Sequence, residues 1–137
     1  MHLFLVWSME SAEHMPDKAA LLRELVRIAQ PGGRIIVVTW CHRELKEGEV
    51  ALKARELREL DRIRDVYYLP PWVPLSTYVE TANAMPELED VRAADWTEFV
   101  APFWSSVIGS VLKPRNLIRV LASGSSCLLY TSPSPRD

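Results

Sequence analysis

The chain has 137 residues, the size of one ordinary domain, with 48% hydrophobic and 25% charged residues. That balance excludes a disordered segment. A formal net charge of −2 excludes a nucleic-acid binder whose affinity rests on neutralising phosphates. The Arg-rich run from Lys53 to Arg64 is interleaved with Glu56, Glu59 and Asp61, the pattern of a solvated helix face. No apolar stretch reaches the length of a membrane span, and His2 to Trp7 is too short, and lacks the basic flank, for a signal peptide. Cys41 and Cys127 make neither a disulfide framework nor a metal site, which fits a reducing compartment.

In chain order, Leu3 to Trp7 is a short apolar run that reads as a fully buried strand. A turn-rich stretch from Ser8 to Pro16 follows. Asp17 is the expected N-cap of a helix over Lys18 to Gln30, whose apolar stripe is Leu21, Leu22, Leu25, Ile28 and Ala29. Pro31-Gly32-Gly33 stops that helix, because proline cannot continue it and glycine accepts a positive φ. Arg34 to Trp40 is β-branched and reads as a central strand buried on both sides. Strand, helix and strand make one βαβ unit, hence a parallel sheet.

Beyond it, Glu49 to Val66 is expected to be helical, with Leu57, Leu60 and Ile63 at spacing three, until Tyr67 to Trp72 breaks it with two prolines. Ser76 is the expected cap of a helix running to about Ala84. Leu88 to Trp96 is a candidate third strand. Phe99 to Leu112 reads as a helix with Pro102 in its first turn. Tyr67, Tyr68 and Trp72 line a hydrophobic substrate pocket or belong to the core. Trp96, Phe103 and Trp104 carry the same two readings, with the core favoured.

The last eleven residues, Cys127 to Asp137, read CLLYTSPSPRD. A transposase-type sequencing-library adapter encodes that string in frame, so residues 127–137 are expected to be translated adapter and residues 1–126 the protein domain. Met1 opens directly on a strand that needs neighbours. The expectation is that an N-terminal half precedes it in the native protein.

Two segments carry a family resemblance: Trp7 to Lys18 (WSMESAEHMPDK) and Pro31 to Arg43 (PGGRIIVVTWCHR). Both resemble the tocopherol C-methyltransferases of plants and algae. Tyr67-Tyr68-Leu69-Pro70, Ala94-Asp95-Trp96 and Val100 to Trp104 extend the likeness over nearly all of Leu3 to Gly124. The chain departs from the family at Phe4, where an Asp is usual, which puts Met1 to Phe4 in doubt. The resemblance implies an α/β fold: the C-terminal half of a class I methyltransferase (Rossmann-like) sheet, incomplete, with the Gly-rich loop absent. It implies S-adenosyl-L-methionine as cofactor, a small hydrophobic phenolic or amine acceptor, and a plastid location.

The same resemblance assigns candidate roles along the carboxyl ends of the two strands, where open α/β sheets bind their ligands. Ser8, Met9 and Glu10 are the expected cofactor-binding residues. Glu13 and His14 are the catalytic candidates, with His14 the better base because an imidazole ordinarily titrates near neutrality. Thr39, Trp40 and Cys41 are expected on the acceptor side, together with Tyr68 and Trp72. Cys41 is not expected to be a nucleophile, since methyl transfer from a sulfonium needs no covalent enzyme intermediate. Two rival readings accompany this one: a related alkaloid N-methyltransferase, and a noncatalytic fragment as the chain stands.

Overall fold

The computed structural model describes residues 2–114. The adapter-like residues 127–137 lie outside that range. The chain divides into two compact units between Ala93 and Ala94.

The first unit is built on two parallel strands, β1 (Leu3–Met9) and β2 (Ala29–Val38), joined by helix α1 (Lys18–Ile28). This is the expected βαβ unit. Asp17 caps α1 as predicted, its carboxylate accepting from the backbone of Ala20 at 2.8 Å. Leu22 is the buried centre of the apolar stripe, and Leu21, Leu25 and Ile28 flank it half-buried. The helix stops two residues earlier than expected. Ala29 turns extended, with ψ 147°, and pairs with Leu3.

The register then slips between Leu3 and Leu5, and Leu5 pairs with Arg34. The extra residues are Gln30 to Gly33. Gly32 takes φ +74°, and a Cβ on Gly33 would meet the carbonyl oxygens of Gln30, Leu3 and Phe4 at 2.8, 3.0 and 3.0 Å. Glycine is required there by backbone proximity as well as by the turn. From Arg34 to Val38 the pairing is regular, and it ends with Met9 opposite Val38.

The expectation that both strands are fully buried is not met. Val6 and Ser8 are covered on one face of β1, while Leu5 and Trp7 on the other are 46% and 59% exposed. Among the described residues the sheet has two strands and α1 covers one face, so alternate side chains have nothing to pack against.

Helix α2 (Ala54–Tyr67) begins five residues later than its apolar spacing suggests. Glu49 is held in the preceding loop, where its carboxylate takes the Arg43 guanidinium at 2.6 Å and the Lys46 backbone at 2.9 Å. Arg43 also makes a two-pronged bond to Glu56, at 2.6 and 2.8 Å, tying the loop after β2 to the first turn of α2. The guanidinium beside Glu56 holds that carboxyl down at about 2. Tyr68, in the left-handed conformation with φ 54°, ends the helix ahead of Pro70 and Pro71.

Helix α3 (Leu75–Asn83) has Pro74, not Ser76, at its cap position. Glu44 caps it from the loop: its two carboxylate oxygens accept from the Ser76 backbone and hydroxyl, each at 2.8 Å. Tyr78 and Ala82 are buried, and α3 packs on α1. The candidate third strand over Leu88 to Trp96 does not form. That stretch is irregular, with Asp90 at φ 54° and paired to Arg92.

The second unit contributes helix α4 (Thr97–Val111). Asp95 accepts from the Thr97 backbone and hydroxyl at 2.8 and 2.6 Å and so starts it. Pro102 sits inside the helix, beyond the first turn where it was expected, and removes one backbone donor. Trp96, Phe103 and Trp104 are exposed rather than core, because α4 has no second layer among the described residues of its unit.

Candidate active site at the carboxyl edge of the sheet

Because β1 and β2 run parallel, the residues that follow each strand emerge at the same edge. After β1 the chain makes a sharp corner. Glu10 adopts φ 49°, and its backbone donates to the Val38 carbonyl at 2.8 Å. A left-handed glutamate costs about 1 kcal/mol or more, and such outliers concentrate at functional sites. Its side chain is exposed, as is that of Met9. Ser8 is buried, its hydroxyl sharing a 2.7 Å bond with that of Ser11.

The 3-10 turn Ala12–His14 follows. Its two catalytic candidates part company. Glu13 is turned inward and is only 4% exposed, and its Oε2 accepts from the Thr39 hydroxyl at 2.6 Å, just past the end of β2. His14 faces outward and is exposed. Sequence reasoning put both on one loop; the fold gives them opposite faces.

Two residues that sequence reasoning missed complete the arrangement. Lys18, 7% exposed, donates from Nζ to the carbonyls of Ala12 at 2.8 Å and Met15 at 2.5 Å, and lies 5.9 Å from the centre of the Tyr78 ring. Burial pushes its ammonium below the ordinary value, against the opposing pull of Glu13 and Cys41. The Tyr78 hydroxyl donates to the Ala12 carbonyl at 3.3 Å. Burial pushes that phenol up to about 12, despite its hydrogen bond with Thr39. The signal for Lys18 was available: a cation in the first turn of a helix opposes the helix dipole, so it needs compensation from elsewhere.

Beyond the end of β2, Trp40 stacks with Trp72, ring centres 6.3 Å apart and planes 17° from parallel. The Trp72 indole N–H is buried without a hydrogen-bond partner among the described residues. Trp72 also lines a groove of about 130 Å³ with Leu57, Pro70 and Pro71. A second groove, of about 280 Å³, lies along α2 beside Arg43 and Leu60. Neither is lined by Ser8, Met9, Glu10, Glu13 or His14. Cys41 is half-buried. Tyr68 stands apart as an exposed helix cap.

A strand, a corner bearing acidic and imidazole groups, a helix, and a second parallel strand ending on polar residues make a framework found in many cofactor-dependent enzymes. Sequence comparison decides among them. Residues 5–37 match the methyltransferase domain. A protein of Oryza sativa subsp. japonica named probable tocopherol O-methyltransferase, chloroplastic, is 57% identical over 120 residues, 88% of this chain and 33% of its own length. The tocopherol O-methyltransferase, chloroplastic, of Arabidopsis thaliana is 53% identical over 120 residues, covering 88% of this chain and 34% of its own length.

Across 88% of its length the chain is similar to tocopherol methyltransferases.

The chain spans about a third of the length of these relatives. Norajmaline N-methyltransferase of Rauvolfia serpentina stands further off, 30% identical over 88% of this chain and 41% of its own length. No solved structure matches the chain. The match to a methyltransferase domain implies a methyl donor. An exposed carboxylate on a strained corner, at Glu10, is the chemistry that takes hydroxyl or ammonium groups. Among the described residues no helix is long and apolar enough to cross a membrane, and no group of His, Cys, Asp and Glu side chains is arranged to hold a metal ion.

Proposed function

We propose that this chain is the C-terminal part of an S-adenosyl-L-methionine-dependent methyltransferase that methylates a ring carbon of a chromanol of the tocopherol type. What carries the reading is the identity of 57% and 53% to the two tocopherol O-methyltransferases across 120 residues. The names of both relatives include "chloroplastic", which supports a plastid location for the whole protein. In this reading residues 1–126 belong to the enzyme and residues 127–137 are translated adapter.

Glu10, with the backbone of Ser8 and Met9, would hold the polar end of the cofactor. When bound, the cofactor supplies an electrophilic methyl group on a sulfonium. The chain's own task is placement and proton handling. His14, exposed at the edge, accepts the phenolic proton of the acceptor on an imidazole nitrogen, which raises electron density at the ring carbon ortho to the oxygen. Glu13, bonded to Thr39, fixes the turn that carries His14. Thr39, Trp40 and Cys41 border the acceptor, and Trp72 stacked on Trp40 supplies an apolar wall with a spare donor. Tyr68, exposed at the end of α2 and apart from them, offers further aromatic surface to a hydrophobic ligand.

An amine acceptor is the second reading, favoured by the 30% identity to norajmaline N-methyltransferase. An amine attacks through its neutral lone pair and depends less on a phenol-activating base. The test is an assay of the protein at its native length with labelled S-adenosyl-L-methionine and either γ-tocopherol or an indole-alkaloid amine. Label on the chromanol ring carbon is expected. Label confined to the amine, or on neither, would remove the tocopherol assignment. Isothermal titration of the 137-residue chain with the cofactor tests the noncatalytic reading, for which no micromolar binding is expected.

A further inference from the structure

We propose that Lys18 is a positioning residue for the reaction, clamping the turn that presents Glu13 and His14 so that the imidazole meets the acceptor. The inference rests on the reading of His14 given above, and it concerns a residue to which neither the sequence motifs nor the comparisons assign a role.

A lysine at the first position of α1 is in an unfavourable place. The helix N-terminus carries partial positive charge, and burial strips the ammonium of water. Lys18 is nonetheless almost wholly buried. Three features compensate it. Its Nζ donates to Ala12 O at 2.8 Å and Met15 O at 2.5 Å, with Glu13 O at 3.5 Å as a long third contact. The Tyr78 ring presents its face 5.9 Å away. The Glu13 carboxylate supplies an opposite charge that favours the ammonium.

The three carbonyls belong to the residues that bracket His14 on both sides. One ammonium therefore gathers the whole turn by its backbone, leaving the Glu13 carboxylate to Thr39 and the His14 side chain exposed. The Tyr78 hydroxyl bonds the same Ala12 carbonyl from α3. Removing the ammonium leaves those carbonyls short of a donor and lets the turn relax. Displacement of a reacting group by about 1 Å can cost about 100-fold in rate.

The test is kinetic, in the native-length enzyme with γ-tocopherol, using Lys18→Gln, His14→Ala and the double variant. Lys18→Gln is expected to lower kcat by about 10-fold to 100-fold while the Kd for S-adenosyl-L-methionine stays within about twofold. In the His14→Ala background the same substitution is expected to cost nothing further, since there is no imidazole left to position. A Lys18→Gln enzyme at wild-type turnover, or an equal penalty in both backgrounds, overturns the inference. If His14→Ala itself keeps full turnover, the reading of His14 as base is what fails. Should Lys18→Gln not give a folded protein, Lys18→Arg decides. Full turnover, or a penalty that vanishes without His14, supports the clamp, and an equal penalty in both backgrounds overturns it.

Discussion

The carboxyl edge of the sheet and helix α4 treat their unusual residues in opposite ways. At the edge, a carboxylate, an ammonium and a phenol are withdrawn from water, and each has a partner within the cluster: Glu13 with Thr39, Lys18 with Ala12 and Met15, Tyr78 with Ala12. In α4 the large apolar residues Phe99, Phe103, Trp104 and Ile108 stand in solvent. Buried polar groups cost more than exposed apolar ones unless they are satisfied, so the edge is where sequence changes should have the largest consequences.

The most severe break expected is functional. His14→Ala should lower turnover on a chromanol by about 10²-fold to 10⁴-fold, the range of a positioned base, with little change in cofactor affinity. Turnover and cofactor Kd measured side by side on the native-length enzyme check this. A large loss of cofactor affinity would move His14 from proton handling to the cofactor.

Thr39→Val sharpens the comparison on stability. It keeps the side-chain shape and removes the donor 2.6 Å from Glu13 Oε2, leaving a carboxylate that is only 4% exposed without that partner. The expected loss is about 1–3 kcal/mol of unfolding free energy, read from urea denaturation. A loss below about 0.5 kcal/mol would mean that water reaches Glu13 and that the edge is not a sealed polar cluster.

Tyr78→Phe carries a smaller effect with a pH signature. At neutral pH it should cost about 0.5–1.5 kcal/mol, the worth of an ordinary hydrogen bond. The phenol's ordinary value is 10 and burial raises it to about 12 in the fold. Between those values the unfolded chain has lost the proton and the folded chain keeps it. Stability therefore falls as pH rises, and the contribution is fully present only below pH 10. Phenylalanine has no such titration, so the wild type's lead over the variant should shrink between pH 10 and 12. Lys18, whose value burial lowers, acts in the opposite direction but is common to both proteins. Melting curves of the pair across that range check the sign. A lead that stays constant across that range would show the phenol to be solvated.

The two regions also differ in how far the sequence announced them. Asp17 before an apolar stripe, Pro31-Gly32-Gly33 and a β-branched run predict the βαβ unit because each signal is local. The motif from Ser8 to Lys18 follows β1 at its carboxyl end, as that unit requires. Orientation was not legible. Glu13 and His14 are neighbours in sequence, and only the 3-10 turn sends one inward and the other outward. Ser76 looked like a cap because the true partner, Glu44, lies 32 residues away. Leu88 to Trp96 looked like a strand because alternation says nothing about whether a neighbouring strand exists to pair with. Lys18 and Tyr78 escaped notice for the same reason: their roles depend on α1 and α3 meeting.

The smallest expected effect tests the other side of the comparison. Phe103 is 59% exposed, edge-on to Trp104 with ring centres 5.4 Å apart. Phe103→Ser in the 137-residue chain should change unfolding free energy by no more than about 0.5 kcal/mol, as for other surface positions. The side chain gives up little burial, and the hydroxyl gains water. A T-shaped ring pair contributes about 0.5–1.5 kcal/mol where it is shielded, so a loss in that range would show the pair to be protected despite its exposure. A loss of about 3 kcal/mol or more, the scale of emptying a packed aromatic site, would mean that α4 buries this ring against another surface. The contrast between a satisfied polar edge and a bare apolar helix would then fail for this chain.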